Sequence, residues 1–173
     1  MVTQPKPADS SLPPCRHLSA DLLAFSRMHV YYDVNMFFEM SAVQSRLNKN
    51  TDFLHALSTI NKGLTEAFAL HLRNLILFFY NDDPHPREVV AADFCEDGTW
   101  LDARQSMTRT LSIAQQRANK MLLLLTLDRD GLEGPEKPWD FDEVAAEMKL
   151  LILIFVKTAK PERLAPNIAL TVA

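Results

Sequence analysis

Apolar residues recur at helical spacing through four long stretches of the chain, and polar or Pro-containing segments separate these stretches. The first stretch, residues 18–48, contains neither Gly nor Pro. Its apolar side chains lie three, four or seven residues apart, as on one face of an amphipathic helix. They are Leu23, Val30, Val34, Phe37 and Phe38. The pattern predicts either one long helix or two helices in series.

The second stretch, residues 53–80, contains the longest apolar stripe of the chain. Asp52 precedes it and is a suitable N-cap, because its carboxylate can accept the free backbone N–H groups of the first turn. Gly63 interrupts the stripe at a cost of about 1 kcal/mol relative to Ala. The predicted inward positions are Phe53, Leu57, Ile60, Leu64, Phe68, His71, Leu75 and Phe79.

Two further helices are predicted after the loop at residues 81–88 and a short helical piece at residues 87–97. One helix covers residues 100–128, and Thr99 with Asp102 resembles a capping box at its start. Its predicted buried line is Met107, Leu111, Ala114, Ala118, Met121 and Leu125. The other helix opens with a capping box of Asp140 and Glu143. Its predicted inward residues are Phe141, Val144, Met148, Leu151 and Phe155.

These patterns predict an all-α protein, an up-and-down bundle of four main helices with a short extra helix. Only 4 of 173 residues are Gly, which is unfavourable for a turn-rich β fold. Residues 1–16 contain four of the ten prolines and are predicted to form a disordered N-terminal arm. We assign residues 17–160 to a single helical domain and residues 161–173 to a C-terminal tail.

Composition and charge exclude several classes of function. The formal net charge is -4 and the pI is about 5.7, so binding to a nucleic acid would require a local basic patch. The N-terminus has no apolar signal-peptide core, and no apolar run approaches the ~18 residues of a membrane span. The two cysteines, Cys15 and Cys95, lack zinc-site spacing and are expected to be reduced thiols. We therefore expect a cytoplasmic protein of bacterial type that does not bind membranes.

The sequence contains no motif for mainstream cofactor chemistry: no Gly-rich phosphate loop, HExxH, GxSxG or calcium loop. Asp82, Asp83 and His85 lie in a Pro-bounded loop, where polar residues usually solvate a turn rather than bind a metal. We therefore predict neither a metal site nor a cofactor.

Two polar groups lie on or beside apolar stripes, and each has two interpretations. His71 is either a core histidine that bonds a neighbouring helix, with Arg73 and Asn74 on the flank, or part of a polar cleft suited to phosphate. Arg117 either extends along the core edge toward an acidic partner such as Asp93 or Glu96, or contributes to the same cleft.

Four segments resemble a bacterial family: "AFALHLRNLILFFY", "VVAADF", a following tryptophan and "RANKMLLLLTLDR". They are similar to segments of HEPN-like proteins, the higher eukaryotes and prokaryotes nucleotide-binding family. The resemblance covers residues 64–129 and implies a helical bundle that often dimerises. Active members are metal-independent ribonucleases of toxin-antitoxin and phage-defence systems, whereas others bind nucleotides or have lost catalysis.

Carried over by position, Arg117 matches the family's motif arginine, and Leu124 stands where the family has its catalytic histidine. Asn119 and Lys120 match the polar positions after the arginine, and Thr126 and Arg129 match the tail of the motif. Leucine can neither accept nor donate a proton, whereas general acid-base help contributes typically about 10² to 10⁴-fold to a rate. The resemblance therefore implies a family member without its usual catalysis.

Three functions follow from these observations. The first is a non-catalytic HEPN-like protein that binds a nucleotide, RNA or protein partner through Arg73, Asn74, Arg117, Asn119 and Lys120. The second is a metal-independent ribonuclease in which His71 acts with Arg117 as the catalytic pair. The third is a structural protein that forms a homodimer through the strongly apolar "LLILIFV" helix, residues 150–156.

Overall fold

The computed structural model describes residues 17–48, 58–122 and 139–172, and every regular element in these ranges is helical. The all-α bundle predicted from the sequence is confirmed. The elements are α1 (Ser19–Phe25), a π-helical turn (Ser26–Val30), α2 (Tyr31–Asn48), α3 (Ser58–Tyr80), a 3₁₀ turn (Ala91–Phe94), α4 (Thr99–Ala103), α5 (Arg109–Leu122), α6 (Phe141–Thr158) and α7 (Asn167–Thr171). Within the described ranges, no helix is both long and apolar enough to cross a membrane.

Helices α1 and α2 are one continuous helix with the π turn in its middle, because the residues at both junctions, Ser26 and Tyr31, keep right-handed helical dihedrals. The buried hydroxyl of Ser26 lies 2.9 Å from the carbonyl oxygen of Leu23 and accepts a hydrogen bond from the backbone N–H of Ala165, also at 2.9 Å. Ser26 therefore joins the π turn to the C-terminal segment of the chain.

Helix α6 lies against α2, α4 and α5 and supplies much of the core. All five residues predicted to face inward are buried, and the Asp140 carboxylate accepts the backbone N–H of Glu143 at 3.0 Å. Phe155 packs against four aromatic rings at centroid distances of 5.4 to 5.7 Å: Phe78, Phe79, Phe94 and Trp100. This aromatic cluster joins α3 to α6.

Residues 161–172, which the sequence assigned to a tail, contribute the buried side chains of Ala165, Ile168 and Val172. The guanidinium of Arg163 donates to the carbonyl oxygens of Asp93 (3.0 Å) and Cys95 (2.9 Å). The segment is thereby attached to the turn that follows α3.

The prediction of one helix from residue 100 is wrong, because α4 ends at Ala103 and α5 begins only at Arg109. Arg104 leaves the helical path, and its guanidinium donates to the carbonyl of Phe79 at 2.9 Å and to Asp82 at 2.8 Å. Thr108 then opens α5, since its hydroxyl accepts the backbone N–H of Leu111 at 3.2 Å. The long-range bonds of Arg104 stabilise this break.

Local predictions around α3 and α4 also need correction. Thr99 does not cap α4: Gly98 is the N-cap, with a φ of 80° that favours glycine, and the Thr99 hydroxyl instead donates to the carbonyl of Glu96.

Ile60 is 55% exposed rather than buried. Within residues 87–97 the regular structure is limited to the turn Ala91–Phe94. Asp52, Phe53, Leu57 and Leu125 lie outside the described residues.

Candidate functional site

A cavity of about 340 Å³ opens between the π turn, the C-terminal half of α3 and residues 81–90. We call this cavity the polar groove. Its volume lies in the range of small-ligand pockets, roughly 300–1,000 Å³. Apolar side chains, including Phe25, Val30 and Phe78, form much of its wall. The polar lining residues are His29, Asp33, Asn74, Asn81, Arg87 and Glu88.

The carboxylate of Asp33 is held in the wall of the polar groove by two side chains of α3. Its Oδ1 lies 2.6 Å from Nδ1 of His71 and accepts a hydrogen bond from the Asn74 amide at 3.3 Å. The His71 residue is only 6% exposed, whereas the Asp33 side chain is 25% exposed. His71 and Asn74 therefore fix the carboxylate, which stays partly exposed where it lines the groove.

The position of His71 follows from the apolar stripe of α3, where it lies between the buried residues Phe68 and Leu75. The ring of Tyr32 meets the imidazole edge-on, with centroids 5.5 Å apart. Of the two interpretations of His71, its burial and its bond to Asp33 of α2 agree with the core histidine that bonds a neighbouring helix. Its partner, Asp33, was not predicted, although a buried imidazole requires a hydrogen-bond partner and the preceding helix carries few acidic residues.

The π turn contributes His29 to the same groove. A π turn inserts one extra residue into a helix, shifts the side chains that follow and is frequent at functional sites. The His29 ring lies 4.8 Å from that of Phe25, another lining residue. The turn itself is held by Ser26, so the irregular geometry beside the groove is supported by bonds to the C-terminal segment.

Four exposed apolar side chains lie on the helical elements that form the polar groove. Leu77 is 41% exposed and lines the groove, and Tyr32, 54% exposed, lies against His71. Met28 precedes His29 in the π turn, and Leu70 lies two helical turns before Leu77 on the same exposed line of α3. We call these four residues the apolar rim. An apolar surface around a polar centre is typical of interaction sites.

A second cavity, of about 320 Å³, lies on the other side of residues 81–90 and shares Phe78, Asn81 and Val90 with the polar groove. Two of its four carboxylates have structural roles: Asp82 pairs with Arg104, and Asp93 accepts the backbone N–H of Val90. Among the residues described, no group of three His, Cys, Asp or Glu side chains could hold a metal ion.

The structure places the predicted binding residues in different surroundings. Asn74 lines the polar groove, whereas Arg73 is exposed on the outer line of α3. Arg117 lies over the Trp139 ring, with its guanidinium carbon 4.3 Å from the centroid. On α5, Asn119 is half-buried and Lys120 is exposed.

The two predicted catalytic residues have different neighbours: His71 bonds Asp33, and the guanidinium of Arg117 lies over Trp139. Glu96, suggested as a partner for Arg117, forms an ion pair with Lys160. Leu124, Thr126 and Arg129 lie outside the described residues. Comparison with known proteins gave no match to any family model, curated protein or solved structure.

Proposed function

We propose that the protein acts by binding a protein partner at the polar groove, without catalysing a reaction. The observation that carries this proposal is the carboxylate of Asp33, held by His71 and Asn74 and open to a cavity of about 340 Å³. A carboxylate already oriented by hydrogen bonds can accept N–H donors at little ordering cost. The apolar rim adds the kind of surface that polypeptides bury when they associate.

The charge of the groove favours a protein partner over the nucleotide and RNA alternatives. Asp33 and Glu88 contribute two carboxylates to the lining, against one arginine, Arg87. This balance disfavours phosphate groups. The basic residues that the sequence suggested for RNA binding, Arg73, Arg117 and Lys120, do not line the groove.

The resemblance to HEPN-like proteins also supports binding without catalysis, because the position of the family's catalytic histidine is changed. Leucine at position 124, where the family has a histidine, supplies no general acid or base. A protein partner is one of the three kinds of ligand, with a nucleotide and RNA, that the sequence analysis considered for a member without catalysis.

The proposal can be tested by selecting peptides from a random display library on the full chain. Binding of the selected peptides is then measured by fluorescence anisotropy. We expect Leu77→Glu to weaken binding about 10-fold or more, since it places a charge in the apolar rim. Leu150→Glu is the matched control, because Leu150 is 59% exposed on α6 and is not part of the groove lining. Equal binding by the Leu77→Glu variant and the wild type, or failure to select any peptide, would contradict the proposal.

One observation favours a second candidate, the metal-independent ribonuclease. An imidazole that bonds a carboxylate through Nδ1 has the orientation used by histidine general bases, and His71 lies 2.6 Å from Asp33. This candidate predicts that the purified chain cleaves RNA in EDTA and that His71→Ala and Arg117→Ala each abolish the cleavage. Absence of cleavage by the wild type at micromolar concentrations would rule it out.

A further inference from the structure

We propose that the partner's anchor is a basic side chain, an arginine or a lysine, that enters the polar groove and pairs with Asp33. Apolar neighbours of this side chain on the partner pack on the apolar rim. The inference rests on the proposed function and specifies the chemistry of its ligand.

Asp33 lines the groove and keeps acceptor capacity at Oδ2. Both of its described hydrogen bonds go to Oδ1, from His71 and Asn74. Within residues 17–48, 58–122 and 139–172, no group donates to its Oδ2. An ionised carboxylate has about four lone-pair sites, so at least one oxygen can accept a guanidinium or ammonium N–H. The partner's basic side chain therefore supplies a hydrogen-bond donor to the Asp33 oxygen that lacks one among the described residues.

The groove contains little positive charge that could neutralise Asp33 internally. Among the described residues, the basic group paired with Asp33 is His71, and this bond occupies only Oδ1 of the carboxylate. Arg87 and His29 also line the groove, but neither forms a described ion pair with Asp33. An incoming cation can thus supply the missing partner.

The walls of the groove suit the stem of such a side chain. Phe25, Val30 and Phe78 contribute apolar surface to the same groove lining as Asp33. Arginine and lysine pack their methylene groups along apolar surface while the charged head reaches a polar partner. An arginine can in addition form two parallel hydrogen bonds to one carboxylate.

The wider surface also favours a basic partner. Residues 81–104 include Asn81 and residues 87–90 of the groove lining as well as α4, and they contain seven carboxylates and two arginines. Four of these carboxylates, Asp82, Asp83, Asp93 and Asp97, line the neighbouring cavity. A surface of one dominant sign attracts a partner of opposite charge and accelerates its association.

The test uses the peptides selected on the full chain and has two independent changes. Asp33→Asn removes the charge from the protein, and citrulline in place of arginine removes the charge from the peptide without changing its shape. We expect the selected peptides to contain a basic residue, and each single change to weaken binding about 10- to 100-fold. The two changes together should weaken binding little more than either alone. Asp102→Asn, an exposed change on α4 outside both cavities, is the matched control and should weaken binding far less than Asp33→Asn, since it removes the same charge without a contact to the anchor.

The two proposals fail in different ways. Peptides that lose binding with Leu77→Glu but contain no basic residue, or that bind the Asp33→Asn variant as well as the wild type, would overturn the basic anchor and leave the groove as the binding site. Peptides insensitive to Leu77→Glu would overturn the proposed function itself. The citrulline substitution shows whether binding needs the positive charge of the anchor, even if Asp33→Asn lowers the stability of the chain.

Discussion

The hydrogen bond between Asp33 and His71 should stabilise the folded state measurably, although one of its partners is near the surface. A hydrogen bond to a charged group contributes about 1.5–3 kcal/mol. The His71 residue is 6% exposed, but the Asp33 side chain is 25% exposed, so solvent screens part of the interaction. We expect a coupling free energy of about 1–2 kcal/mol between the two side chains.

The single substitution Asp33→Ala should cost about 2 kcal/mol of unfolding free energy. It removes the bond and leaves the Nδ1–H group of His71 without its acceptor in a buried position. Desolvating an unpaired polar group costs about 1–3 kcal/mol. The double variant Asp33→Ala with His71→Ala should therefore be less destabilised than the sum of the two single variants.

Urea unfolding followed by the fluorescence of Trp100 and Trp139 supplies the four free energies of the cycle. The control cycle uses Asn35 and Glu39, which bond at 2.9 Å on the exposed side of α2. That pair should couple by only about 0.2–0.5 kcal/mol. A coupling between Asp33 and His71 no larger than the control value would refute the assignment of a fixed, partly buried pair.

Three further predictions concern the scaffold around the groove. Ser26→Ala should lower the unfolding free energy in urea by about 1–3 kcal/mol, because the buried backbone N–H of the C-terminal segment loses its acceptor. Phe155→Ala should cost about 3–5 kcal/mol in the same assay, whereas Leu150→Ala, at a position 59% exposed, should cost about 0.5 kcal/mol or less. Burial raises the pKa of the Cys95 thiol to about 12 from its ordinary value of 9.0. In a Cys15→Ser variant, this thiol should therefore react with an aromatic disulfide reagent at pH 8 only after the chain unfolds. Because the folded state holds this proton more tightly, the thiol's contribution to stability should fall as pH rises from 9.0 to about 12, and Cys95→Ala should remove that part of the pH dependence.

Periodicity predicted the helices best where their inward side chains contact a continuous core. All five inward residues predicted for α6 are buried, because the aromatic and aliphatic side chains repeat every three or four residues between the Asp140 cap and Ala159. The break before α5 was missed because its causes are distant in sequence. Arg104 is bonded to the carbonyl of Phe79, 25 residues earlier, and no local pattern encodes that contact.

The candidate site was predicted only in part, for a related reason. His71 was identified because an imidazole interrupts an apolar stripe, and Asn74 because it lies beside His71. Asp33 lies 38 residues before His71, and only the antiparallel packing of α2 on α3 brings the two together. The π turn, which brings His29 into the groove, depends on a bond between Ser26 and Ala165 that sequence spacing does not reveal.

The location of the binding surface is tested most directly by the amide chemical-shift changes that a selected peptide produces in the isotope-labelled full chain. If the polar groove is the binding site, the chemical-shift changes should cluster at residues 25–33, at residues 70–78 of α3 and at residues 81–90. Changes that cluster instead on α5 around Arg117 and Lys120 would contradict this location and would favour the binding residues that the sequence analysis suggested on that helix.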